Sequence, residues 1–149
     1  MTFNLTVVFA GVVTSPNFPS SYPNNLELTQ TVQVDPALIL SLEFTAFSVD
    51  NIGDGRHCEI DYLVITEGDG TILMGKSCGE AGNLYIDSQK IDSPVPPTVK
   101  SKTNTVNILF LTTPYDTTHT GWSVNWRALT PGKCAYFPSS KYVILLSFP

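Results

Sequence analysis

Apolar residues along this chain recur at every second position over short stretches. Between Leu38 and Phe44, the residues Leu38, Leu40, Leu42 and Phe44 share one parity, with Ser41 and Glu43 on the other beside Ile39. Val106, Ile108 and Phe110 repeat the pattern within Thr105–Thr112. In Gly121–Ala128, Trp122, Val124 and Trp126 alternate with Ser123, Asn125 and Arg127. Successive side chains of an extended chain point to opposite faces, so period two marks a strand with one face in a core. No long stretch carries the helical period. Leu63–Ile65 and Ile72–Met74 flank Glu67-Gly68-Asp69-Gly70. Asp-Gly there is a hairpin signal, because glycine accepts the positive φ of tight turns. Further turn clusters are Ser15-Pro16-Asn17-Phe18-Pro19, Tyr22-Pro23-Asn24-Asn25, Gly53-Asp54-Gly55 and Pro94-Val95-Pro96-Pro97. Short strands punctuated in this way predict an all-β, antiparallel two-sheet β-sandwich.

The length of 149 residues suits one domain. Apolar residues make up 42% and charged residues 14%, and the low charge argues against a disordered tail or a coiled coil. The net charge of −5 argues against nucleic acid and anionic lipid as partners. It leaves cations, basic protein patches and neutral sugars. No apolar run reaches the roughly 20 residues that span a bilayer, and the longest, Tyr142–Phe148, is far shorter. Met1–Ala10 lacks a basic start and is interrupted by Asn4 and Thr6. It makes a poor secretory leader and reads better as a first strand, so a secreted form of this chain would be a piece of a longer one. Asn4-Leu5-Thr6 fits the glycosylation sequon.

Catalytic patterns are missing from the sequence. There is no Gly-x-Ser-x-Gly nucleophile turn, and Gly68-Asp69-Gly70 lies in a predicted hairpin rather than a phosphate-binding loop. His57 and His119 fall in predicted loops and read as solvated. The three cysteines, Cys58, Cys78 and Cys134, leave one over if two pair, and they are spaced too widely for a zinc site of about four ligands. Trp122 and Trp126 share the parity of Val124, which favours core packing over an open sugar-stacking surface.

Four blocks in fixed order carry a resemblance. They are Gly11 through Asn25, Leu42-Glu43-Phe44 through Asp50, Cys58-Glu59-Ile60-Asp61-Tyr62 through Gly70 followed by Cys78-Gly79, and Phe110 through Trp126. Together they resemble the CUB domain family over residues 9–129. The resemblance implies a jelly-roll-like sandwich in an extracellular setting. It implies a non-catalytic module that sits in larger proteins beside proteases or further modules. Residues 1–8 are then an N-terminal extension, and 130–149 a linker with a lone Cys134 and an apolar tail. Cys58 and Cys78 are implied as a disulfide, which stabilises by about 3 kcal/mol through the restricted unfolded chain. A second family cysteine pair, near Phe9 or Ala10 and near Leu28, has no counterpart here, so the first strand should be less firmly anchored.

Many family members hold a calcium ion at one end of the sandwich, and calcium takes about 6–8 oxygen ligands. Carried over by position, Tyr22, Asp50 and Asp61 match that ligand set, with Asp50 where glutamate is usual. Thr113 stands where the family has a further aspartate. Asp116 is the first candidate to replace it, and Asp54 another. The expected function is binding of an extracellular protein whose exposed Lys or Arg meets a carboxylate at this end. An accessory role beside a secreted protease and a carbohydrate-binding role are the alternatives.

Overall fold

The computed structural model describes residues 9–51, 56–115 and 118–132. They form ten strands: β1 (Ala10–Thr14), β2 (Glu27–Gln33), β3 (Ile39–Ser48), β4 (Tyr62–Glu67), β5 (Ile72–Cys78), β6 (Leu84–Ile86), β7 (Gln89–Ile91), β8 (Val99–Lys100), β9 (Thr105–Leu111) and β10 (Gly121–Leu129). The strand pairs are antiparallel throughout. One sheet has the order β1-β10-β3-β8, the other β2-β9-β4-β5-β6-β7. The chain crosses between sheets after β1, after β2 and again after β3, which gives the sandwich its jelly-roll character. Asn4, Asp54, Asp116, Cys134 and the tail Tyr142–Phe148 lie outside the described residues.

The alternating positions fill the space between the sheets. Leu40, Leu42, Leu63, Ile65, Val106, Ile108, Phe110, Trp122 and Val124 are fully buried. Trp122 is therefore closed to any sugar, and Trp126, half-buried, packs against the same core. Gly11 makes room for Trp126, since a Cβ at Gly11 would lie 2.7 Å from its indole nitrogen. In β3 the predicted parity changes midway. Val124 pairs with Phe44 but Ser123 pairs with Ala46, so Thr45 is an extra residue. This bulge turns Phe47 to the same side as Phe44, and the two rings meet edge to face at 5.7 Å. The strand thereby extends to Ser48, past the predicted Phe44.

The sequence pattern does not reveal β2. Its inward positions are Leu28, Gln30 and Val32, and a glutamine in the middle breaks the apolar alternation. Gln30 Nε2 donates to the Thr14 carbonyl at 3.3 Å, tying β2 to the end of β1 across the sandwich. This contact and the β10 ladder anchor β1 at the sheet edge, where the cysteine pair is missing.

The Asp69-Gly70 turn joins β4 to β5 as predicted, with Gly70 at φ 91°. The Thr71 N–H donates to the Asp69 carboxylate at 2.9 Å. Hydrogen bonds from Thr71, foremost its backbone N–H, hold that carboxyl below its ordinary range. At the far end of β5, Cys78 is bonded to Cys58, with Cα atoms 5.5 Å apart.

Two stability measurements check this architecture. Gly121 sits at φ 88°, and a Cβ there would lie 1.9 Å from Ser15 Oγ. Gly121→Ala should cost at least about 2 kcal/mol in urea unfolding. Reducing the Cys58–Cys78 bond should cost about 3 kcal/mol, read as a lower urea midpoint with reductant present.

Candidate functional site

Described residues of three connections meet at one end of the sandwich: 15–26 between β1 and β2, 49–51 and 56–61 between β3 and β4, and 112–115 and 118–120 between β9 and β10. Tyr22 joins them. Its ring is buried and packs edge to face on Phe110 at 5.0 Å, and Phe110 meets Trp122 in the same way at 5.9 Å. The hydroxyl reaches out of the apolar core. It donates to Asp61 Oδ2 at 2.7 Å and accepts the Asp50 N–H at 3.0 Å. A tyrosine suits this place because its ring is apolar and only its tip needs a polar partner.

Asp61 is 1% exposed and Asp50 2%. A buried carboxylate is costly unless hydrogen bonds replace its lost water. For Asp61 the replacement comes from neutral donors. The Thr113 N–H and hydroxyl both reach Oδ1, at 2.8 and 3.0 Å, while Tyr22 serves Oδ2. Asp50 is positioned by its neighbour. Val49 and Gly79 exchange backbone hydrogen bonds of 2.9 and 2.7 Å, which pins this stretch beside the disulfide.

His119 lies nearby, between two acids. Its Nε2 is 3.9 Å from Asp50 Oδ1, and its Nδ1 is 3.8 Å from Glu80 Oε2 and 2.9 Å from Ser48 Oγ. Ser48 Oγ also lies 3.0 Å from Glu80 Oε2, so the hydroxyl joins the imidazole and the carboxylate. His119 is partly buried, less solvated than its place in a loop predicts. The His119 side chain is only 22% exposed because Ser48, Asp50 and Glu80, 39 to 71 positions distant in sequence, fold against it. Glu80 and Ser48 have no local sequence signal, since only the packing of loops brings them to this end.

Of the four expected calcium ligands, Tyr22, Asp50 and Asp61 come together, and Asp116 lies outside the described residues. The described residues do not fit the ion. Among them no three Asp, Glu, His or Cys side chains form a group that could hold a metal. Both lone-pair directions of Asp61 Oδ1 are already taken by Thr113, and Oδ2 accepts from Tyr22. Calcium is accordingly given no part in the arrangement described.

Comparison with known proteins decides the lineage. The family model of the CUB domain matches residues 7–126. The chain belongs to the CUB domain family. This CUB domain is 34% identical over 131 residues to cubilin of Sus scrofa, covering 85% of the chain but 3% of cubilin. It is 29% identical over 126 residues to mannan-binding lectin serine protease 1 of Mus musculus, covering 84% of the chain and 16% of that protein. The chain thus spans a small part of the curated relatives it matches. Among solved structures, the CUB1-EGF-CUB2 domain of human MASP-1/3 superposes with a TM-score of 0.68 at 22% identity, covering 87% of this chain and 47% of that one. The MASP-1 CUB2 domain bound to Ca2+ does so with 0.60 at 20% identity, covering 85% and 99%. These last two likenesses concern the fold.

Tyr22→Phe keeps the ring contacts and removes the hydroxyl. It should lower stability by about 1–3 kcal/mol in urea unfolding, because Asp61 loses a donor and the Asp50 N–H an acceptor.

Proposed function

We propose that this CUB domain is a non-catalytic extracellular interaction module, spanning residues 9–129, that binds a protein partner at the Tyr22–Asp61 end. The observation that carries the reading is the gathering of Asp50, Asp61 and Glu80 there on a chain of net charge −5. The side chain of Glu80 is 57% exposed, whereas that of Asp50 is 3% exposed. A Lys or Arg of the partner meets Glu80 first and feels the field of Asp50 behind it. Such a contact forms a charge-assisted hydrogen bond and is screened by salt. The disulfide supports the extracellular placement, since such bonds persist in oxidising compartments.

Calcium belongs to a variant of this reading, in which Asp50, Asp61 and Asp116 hold the ion and a liganded carboxylate meets the basic side chain. The Ca2+-bound MASP-1 CUB2 structure supports that variant. The hydrogen bonds of Asp61 support the metal-free form, which we adopt. A second reading makes the module an accessory domain beside a secreted protease. It is favoured by the likeness to mannan-binding lectin serine protease 1.

The test is titration of the isotope-labelled chain with a lysine-rich peptide, followed by amide NMR. Shifts should concentrate in residues 15–26, 49–61, 79–81 and 112–120 and shrink in high salt. Glu80→Gln should weaken binding several-fold. Shifts elsewhere, or binding indifferent to salt and to Glu80→Gln, would remove this end as the docking site.

A further inference from the structure

Thr112 and Thr113 are adjacent residues that bind different loops. Thr112 Oγ1 donates to the Pro23 carbonyl at 2.9 Å and accepts the Leu26 N–H at 2.8 Å. The Thr112 N–H donates to the Leu26 carbonyl at 3.0 Å, and the Asn25 N–H donates to the Thr113 carbonyl at 3.1 Å. Thr113 then turns its own N–H and hydroxyl onto Asp61 Oδ1. Tyr22, from the same loop that Thr112 holds, caps Asp61 Oδ2 and takes the Asp50 N–H. The three connections are therefore joined by a closed set of hydrogen bonds supplied by the chain itself.

From this geometry we infer that a threonine clasp, Thr112-Thr113 on Asp61 and the 15–26 loop, orders this end of the domain without calcium. A carboxylate offers about four acceptor directions, and the clasp uses both of those on Oδ1 and one on Oδ2. One direction on Oδ2 is left, so a cation could take Asp61 through that single lone pair, and a bidentate grip would displace a donor that is already well placed. A calcium site earns its affinity from several free, negatively charged oxygens, whereas here the carboxylate's charge is met by N–H and O–H groups. Thr113 contributes a proton where a calcium site would need an oxygen directed at the ion. The inference does not rest on the partner reading, since a metal-independent end is compatible with any partner or none.

The experiment uses the full chain and compares thermal unfolding in EDTA with unfolding in millimolar calcium, the range in which extracellular calcium sites fill. Magnesium controls for ionic strength. The wild-type chain should melt at the same temperature in all three. Thr113→Val keeps the N–H and the shape but loses the hydroxyl, and it should melt about 3–6 °C lower, equally with and without calcium. Thr113→Ser restores the hydroxyl and should recover most of that loss. Hydrogen exchange gives a second readout that needs no variant: the Thr113 amide should be protected to the same degree in EDTA and in calcium. A wild-type melting temperature several degrees higher in calcium than in magnesium would overturn the inference. So would Thr113 amide protection that appears only with calcium, or a Thr113→Val chain as stable as the wild type.

Discussion

The Tyr22 side chain lies with its ring among Phe110 and Trp122 and its hydroxyl between Asp50 and Asp61. The packing of that ring fixes where the hydroxyl stands to within the tolerance of a hydrogen bond. The polar end of the domain is thus referenced to its apolar core. If the ring shifts, the Asp61 carboxylate and the Asp50 N–H lose their common partner. The ring is held by edge-to-face contacts, an arrangement that aromatic pairs prefer because a positive ring edge meets a negative face. Rigidity of the core passes in this way to a surface made of loops, which would otherwise be the least ordered part of a sandwich.

The cost of this arrangement is two buried carboxylates, and the manner in which each is met differs. Asp61 is answered by donors from Thr113 and Tyr22, so its environment is complete within the chain. Asp50 faces His119, which also faces Glu80. Asp61 is therefore tied into the hydrogen bonding of the fold, while Asp50 and Glu80 stand on either side of one histidine.

The disulfide serves the same end from below. It joins the connection that contains Asp61 to the last residue of β5, one position before the Gly79 bridge to Val49. Asp50 follows Val49 directly. The bond therefore limits the relative movement of the two aspartates, beyond its general effect on the unfolded chain.

Strand identity was legible in the sequence wherever alternation was apolar, as in β3, β9 and β10, because side-chain parity is a local consequence of extended backbone. It failed at β2, where Gln30 takes an inward place, and at Thr45, where a bulge reverses parity through pairing with a strand almost 80 residues away. The ordered motifs also placed Tyr22, Asp50 and Asp61 at one end, as family resemblance led one to expect. What they are to each other was decided by tertiary structure alone. Thr113 and Asp61 are 52 positions apart, and Tyr22 and Asp61 are 39. Residue types announce which groups can donate or accept. Only the convergence of three loops determines that a threonine's two donors meet an aspartate's lone pairs, because a hydrogen bond requires distance and direction that no local pattern encodes.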